Sequence, residues 1–223
     1  MSRLYVTSSG ARAQRAGDAC SGLRASGSYE DTHCYARSYR KPSSDADTFL
    51  RVGDDNFIAL AGTIVFDGSL GTEKKEELYE LFVEKGVTHV RSQILGHYAI
   101  AVKEGKEVTL FTDPLGSFSL YYAREGQSWL ASNSLHACAV SCNRLTLDET
   151  RLVATALQSG LPDDRTFYDE IRRLFGTQVI RADASEGTLS VEEHGAPTYA
   201  FSDPPSSISD AVDQYTERVR SVF

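Results

Sequence analysis

An α+β fold is predicted from three observations. Short β-branched and aromatic runs follow one another between Tyr98 and Ser132, separated by glycine and proline turns. Two segments of helical period, Glu73 to Lys85 and Leu147 to about Ser159, lie outside that run. Of the 223 residues, 41% are apolar, enough to fill a substantial core.

From the start of the chain, Leu4 to Thr7 reads as a short strand. Ser8 to Gly27 is rich in Ser, Gly, Ala and Arg and reads as loop or disordered chain. Thr32 to Tyr39 alternates as a strand does, and Lys41 to Asp47 reads as a polar loop. Residues 1–55 are thus the least readable segment, either part of the main domain or partly disordered. Phe57 to Ala61 reads as a buried strand interrupted by Gly62 and continued by Thr63 to Phe66. A turn at Asp67-Gly68 follows. The next helix places Leu78, Leu81 and Phe82 on one face, with Gly86 as its C′ stop.

Tyr98 to Val102 is apolar enough to be buried on both faces. Gly105 supplies the turn into Val108 to Thr112. Asp113-Pro114-Leu115-Gly116 breaks the ladder, because proline cannot donate to it. Leu120 to Ala123, a turn at Glu125-Gly126 and Trp129 to Ser132 complete what reads as a β-meander. The helix from Leu147 ends at Gly160-Leu161-Pro162, and Leu189 to Glu193 reads as an edge strand. Asp203 to Ser207 reads as a linker. Ile208 to Phe223 reads as a helix capped by Ser207 or Ser209, with Ala211, Val212, Tyr215 and Val219 as its apolar stripe.

A formal net charge of −8 argues against nucleic acid as the main partner. No apolar run is long enough to span a bilayer, and the opening residues lack the apolar core of a signal peptide, so a cytoplasmic protein with no membrane partner is expected. Cys138 and Cys142 have the spacing of half a zinc site. No second Cys/His pair supports it, and reduced, buried thiols with no metal are the expectation.

Leu95-Gly96, Thr112-Asp113-Pro114-Leu115-Gly116, Leu120-Tyr121-Tyr122 and Ala131-Ser132-Asn133 occur in that order at close spacing. This resembles the N-terminal glutaminase-type domain of asparagine synthetase and its relatives, whose run is roughly L-x-G-x-F-A-F-A, R-D-x-L-G-x-x-P-L-Y-Y and F-A-S-E. The resemblance covers Phe57 to about Arg181 and includes Thr166-Phe167-Tyr168, Ile171 to Leu174 and Gln178 to Arg181. Phe175-Gly176 replaces the usual Pro-Gly there. Thr112 stands where most members have Arg. The T-D pair is similar to the β-lactam synthetase branch, whose glutaminase-shaped domain does not hydrolyse glutamine. The resemblance implies a four-layer αββα sandwich of the N-terminal-nucleophile (Ntn) hydrolase type over residues 56–201. It also implies that residues 202–223 are a linker and the first helix of an ATP-dependent synthetase domain. That domain's S-G-G-x-D-S loop is absent from this chain. The chain is therefore expected to be a fragment of a longer protein or half of a split one, the alternative being a C-terminal helix packed on its own domain.

A class II amidotransferase needs an N-terminal nucleophile with a free α-amine, an oxyanion hole, a carboxylate-binding Arg and an ammonium-binding Asp. Removal of Met1 would expose Ser2, but the family's C-G-I start is replaced by Ser2-Arg3-Leu4, and an alcohol ionises far less readily than a thiol. The family's N-G oxyanion pair matches Ala61-Gly62. Gly62 is kept as a remnant, but Ala61 has no side-chain donor, and losing one such donor costs on the order of 100- to 1,000-fold in rate. No R-G pair is present; Arg37 or Arg40 is a candidate to lie near the site, but neither is assigned the role. Aligning Glu84-Lys85-Gly86 with the same tripeptide in the family puts Lys74 at the Asp position, where it would repel an ammonium group. The carboxylates Asp54-Asp55 and Glu76-Glu77 read as solvated surface, Asp113 as a cap of turn amides, and Tyr121 and Tyr122 as facing opposite sides of a strand.

Three readings follow. One is a glutaminase-shaped domain without hydrolytic chemistry that packs, in cis or trans, against an ATP-dependent amide-forming synthetase domain. ATP and Mg²⁺ would then belong to that domain, with no cofactor in this chain. The second is a weak Ntn amidohydrolase using Ser2. The third is a stand-alone interaction module, for which a homodimer is open.

Overall fold

The structure is a computed structural model that describes residues 2–158 and 163–194, together with 207, 209, 210, 212, 213 and 216. The turn read at 160–162, the linker read at 203–206 and most of the helix read over 208–223 lie outside the described residues. In chain order the elements are β1 (Arg3–Thr7), α1 (Gly10–Asp18), β2 (Arg24–Glu30), β3 (Tyr35–Arg40), β4 (Phe49–Val52), β5 (Asn56–Phe66), β6 (Ser69–Leu70) and α2 (Lys75–Gln93). They continue with β7 (Ile94–Glu104), β8 (Glu107–Thr112), β9 (Leu120–Glu125), β10 (Ser128–Ser132), α3 (Leu135–Ser141), α4 (Glu149–Gln158), β11 (Ile171–Leu174), β12 (Gln178–Asp183) and β13 (Thr188–Glu193).

Two antiparallel sheets stack face to face. One runs β11-β9-β10-β1-β3-β2 and the other β13-β12-β8-β7-β5-β4, with β6 on the end of β5. Strand alternation sorts the side chains into layers. Leu4 and Val6 of β1, Phe57, Ala59 and Ala61 of β5, Ala99 and Ala101 of β7, and Trp129 and Ala131 of β10 meet in the core between the sheets. Phe57 packs at 5.3 Å from Phe49 and 5.2 Å from Tyr29, joining β5, β4 and β2. On the outer face of the second sheet, Ile58, Leu60, Tyr98, Ile100 and Phe111 bury against Leu78, Phe82, Val87 and Val90 of α2. On the outer face of the first, Tyr5 and Tyr39 pack on Ala16 of α1, and Leu130 and Ile171 pack on Cys138 and Ala139 of α3. Helix, sheet, sheet, helix is the predicted four-layer αββα sandwich. The long apolar runs of β5 and β7 reflect strands covered on both faces.

Four readings from sequence are corrected. The stretch read as loop or disordered over 8–27 holds α1 and the start of β2. The alanines and glycines that made it look unstructured are what let α1 lie close to the sheet. A Cβ at Gly10 would come within 3.0 Å of the Tyr35 hydroxyl. The supposed meander is two hairpins in different sheets: β7 and β8 pair in the second sheet, β9 and β10 in the first, and Asp113 to Ser119 crosses between them. Gly62 does not interrupt its strand, since β5 runs through it with φ +100°. Gly86 breaks α2 (φ +75°, ψ 179°) without stopping it, because buried Val87 and Val90 dock a further helical segment on the sheet. α3 and β4 carried no signal strong enough to be read.

Tyr121 and Tyr122 do face opposite sides, Tyr121 toward α3 and Tyr122 toward the inter-sheet core. Fully buried Phe57 sets the spacing of the sheets at one end. Phe57→Ala is expected to cost roughly 3–5 kcal/mol, read as a lower urea midpoint at an unchanged slope.

Candidate functional site

The sheets open at one end into a cleft of about 600 Å³ lined by residues that include Ser2, Arg40, Lys41, Gly62, His97 and Ser117. Ser2 stands at the head of β1, a central strand flanked by β10 and β3. Asn133, just past β10, clamps it there. Asn133 Nδ2 donates to Ser2 O at 3.0 Å, and Asn133 Oδ1 accepts from Leu4 N at 2.8 Å. The sequence motif included Asn133 without indicating this task.

Gly62 reaches Ser2 from the opposite sheet. Its backbone N–H donates to Ser2 Oγ at 2.7 Å. Gly62 lies opposite Tyr98 in the β5–β7 ladder, where the strands come so close that a Cβ on Gly62 would sit 2.0 Å from His97 O. Only glycine fits that contact at φ +100°. Gly96 repeats the arrangement on β7, at φ +123° and with its own Cβ position 2.1 Å from Thr63 O.

Of the residues singled out from sequence, the structure brings Ser2 and Gly62 together and keeps the other two apart from them. Ala61 is fully buried, its methyl group in the inter-sheet core, and offers no donor. Lys74 precedes α2 and does not line the cleft. Its ammonium group pairs with Asp67 at 2.6 Å and Glu77 at 3.4 Å and lies over the Phe66 ring. Arg40 and Arg37 point to opposite faces of β3. Arg40 lines the cleft with its buried Nε unpartnered, whereas Arg37 lines a separate cavity of about 420 Å³ beside α1. Asp54, Asp55, Glu76 and Glu77 are exposed. Cys138 is fully buried and Cys142 half-buried. Both thiols are free, and burial pushes both thiol pKa values up, that of Cys142 to about 11. Among the described residues no group of three His, Cys, Asp or Glu is placed to hold a metal, and no helix is long and apolar enough to cross a membrane.

Asp113 is 2% exposed and caps its turn, as read from sequence. Oδ1 accepts from Ser117 N (3.1 Å) and Ser117 Oγ (2.7 Å), and Oδ2 from Phe118 N (2.8 Å). Burial raises the pKa of this carboxyl, but the hydrogen bonds from Phe118 N, from the hydroxyl and N–H of Ser117 and from Thr112 outweigh it and hold the value below the ordinary one. Ser117 Oγ in turn lies 2.7 Å from His97 Nδ1. Of the two cations offered from sequence it is Arg40 that lines the cleft, and sequence reasoning missed Lys41, His97 and Ser117 as cleft residues. Cross-strand register, with Thr63 opposite His97, is what places the histidine there.

The four layers, two antiparallel sheets between helices, are the fold of the class II glutamine amidotransferase, or Ntn-hydrolase, domain. Solved structures that share it include two of low sequence identity. One is the glutamine phosphoribosylpyrophosphate amidotransferase of B. subtilis complexed with ADP and GMP (TM-score 0.50, 10% identity). The other is described as the allosteric regulatory enzyme of purine biosynthesis (TM-score 0.56, 11% identity). Each match covers 86% of this chain and 49% of the other, so the chain spans about half the length of these proteins. No protein-family model and no curated protein matches the chain.

Two outcomes are expected. Gly62→Ala should lower stability by roughly 1–3 kcal/mol or more, because the strained φ adds to a clash with backbone, and a lower melting temperature checks it. Asp113→Asn places an NH₂ group against a backbone donor and should cost roughly 1–3 kcal/mol at pH 7. Because the folded pKa of Asp113 is lowered, its contribution is complete above the unfolded value of about 3.9 and is lost as pH falls below it. Urea titrations of the two proteins should differ at pH 7 and converge in acid.

Proposed function

We propose that this chain is a glutamine-amidotransferase-type domain that has lost glutaminase chemistry. It serves as the structural partner of an ATP-dependent, amide-forming synthetase domain of the asparagine synthetase type, joined in cis or supplied in trans. The observation that carries the loss is the cleft itself. Ser2 meets one backbone donor, the second oxyanion donor is replaced by the buried methyl of Ala61, and Lys74 is engaged elsewhere with Asp67 and Glu77. Without the missing donor the tetrahedral intermediate loses on the order of 100- to 1,000-fold in rate, and the alcohol nucleophile lowers it further. The synthetase partner is supported by the ordered motif run from Leu95 to Asn133. ATP and Mg²⁺ would be bound by that partner.

The contact between Gly62 N and Ser2 Oγ favours a second reading, a weak Ntn amidohydrolase acting through Ser2 once Met1 is removed. Coupled glutamate dehydrogenase detection of ammonia from glutamine separates the two. The first reading expects wild type and Ser2→Ala to be indistinguishable from buffer, and ammonia release that Ser2→Ala abolishes would sink it. The partner is tested by ATP–pyrophosphate exchange on the native-source complex, expected to be carboxylate-dependent and to be absent from this chain alone.

A further inference from the structure

We propose that Asp113, Ser117 and His97 form a proton relay serving Ser2, and that the cleft is an acyl-transfer site for carboxylate-bearing esters. This goes beyond the loss of glutaminase chemistry and can fail separately from it, since ester acylation and glutamine turnover are read on different substrates.

The relay follows from counting protons. Ionised Asp113 can only accept hydrogen bonds, and its Oδ1 lies 2.7 Å from Ser117 Oγ. The single hydroxyl proton of Ser117 is therefore committed to Asp113. The 2.7 Å contact between Ser117 Oγ and His97 Nδ1 then needs its proton from the imidazole. Neutral His97 is thereby held as the Nδ1–H tautomer, with its Nε2 lone pair free. A histidine acting as general base toward a serine hydroxyl needs this tautomer, usually set by a carboxylate on Nδ1. Here a hydroxyl stands between carboxylate and ring.

Placement follows from register. His97 is the cross-strand partner of Thr63, the residue after the glycine whose N–H holds Ser2 Oγ. His97 shares the inward face of β7 with Ala99 and Ala101, and it is exposed because the sheets have opened at that level. Ser2 and His97 line the same cleft. The relay requires the link between them to close on substrate binding, as catalytic hydrogen bonds commonly do.

Substrate class follows from charge and from donor count. Among the described residues, those lining the cleft include Arg40 and Lys41 and no carboxylate, which suits an anionic acyl group. One backbone donor and an alcohol nucleophile suit a carbonyl with a good leaving group, an ester and not an amide. In the reaction Ser2 Oγ bonds to the acyl carbon as its proton passes to His97 Nε2. The Gly62 N–H faces the oxyanion, the carbon–oxygen bond to the leaving alcohol breaks, and that alcohol takes the proton from His97. Water then attacks the acyl-Ser2 ester, giving its proton to His97, which returns it to Ser2 as the carboxylic acid leaves. Ester and water give acid and alcohol, and no α-amine is needed as base.

The test uses 4-nitrophenyl acetate and 4-nitrophenyl hemisuccinate, reading nitrophenolate release and the mass of the Ser2 peptide. The expected result is an acyl adduct on Ser2 that forms faster from the hemisuccinate and is absent in Ser2→Ala. His97→Gln, a change at an exposed side chain, should leave the melting temperature unchanged and slow acylation by about 100-fold or more. Ser117→Ala should slow it less, and Ser117→Thr, which keeps the hydroxyl, should restore it. Acylation confined to lysines, or His97→Gln acylating at the wild-type rate, would overturn the relay. Faster reaction with the acetate would overturn the substrate class.

Discussion

The buried carboxylate of Asp113 is the interaction on which the arrangement of the sheets depends. A chain passing from one sheet to the other must leave the ladder inside the protein, where unpaired amides are costly. Asp113 receives the amides of Ser117 and Phe118, and Gly116 N bonds back to Asp113 O at 2.8 Å. Thr112 adds a hydroxyl at 2.8 Å from Tyr98 O, 2.5 Å from Phe118 O and 3.3 Å from Asp113 Oδ2, with one proton to give to any of the three. Pro114, which cannot join a ladder, sits at the turn. With its polar groups satisfied, the crossing can be short, and the hairpins on either side can stack directly on each other.

A second constraint is the close approach of β5 and β7 at Gly62 and Gly96. Each glycine lies under a carbonyl of the opposite strand, His97 O or Thr63 O, at a distance no side chain tolerates. The positive φ at Gly62 turns its N–H out of the ladder toward Ser2 Oγ. The same distortion brings His97 to the mouth of the cleft. The geometry around Ser2 is thus set by backbone and held by Asn133, just past the neighbouring strand β10 of the same sheet, independently of the side chains that glutamine hydrolysis would need.

Much of this was legible in the sequence where one residue type has one physical meaning. Proline and glycine at 114 and 116 marked a break, and the double-sided burial of β7 followed from the apolar run Tyr98 to Val102. The sandwich itself was reached through resemblance, because strand patterns do not say which sheet a strand joins. That is why two hairpins in different layers read as one meander. Residues 8–27 misled for a related reason. Small residues such as Gly10 signal flexibility in isolation, yet here they permit contact with Tyr35. In the site, Ser2 and Gly62 were found by position in a motif. His97 and Ser117, 20 residues apart, were not, because only cross-strand register and the Asp113 turn bring them together.

Under the proposed loss of glutaminase chemistry, position 61 illustrates how such a fold would outlast it. Ala61 lies in the core between the sheets with no exposed surface. A carboxamide there would bury a polar group that only a bound substrate satisfies, at a cost of about 1–3 kcal/mol while the site is empty. An alanine removes that cost and packs with Ala59, Ala99 and Ala101. Lys74 likewise meets two carboxylates, Asp67 and Glu77, at the start of α2. Gly62 has no such route, because the His97 carbonyl excludes every side chain. Residues that served only the ligand can be replaced with a gain in stability, whereas those that also carry the backbone cannot. Ser2 remains beside Gly62 for this structural reason, and any chemistry left in the cleft must be built from groups that the fold itself retains.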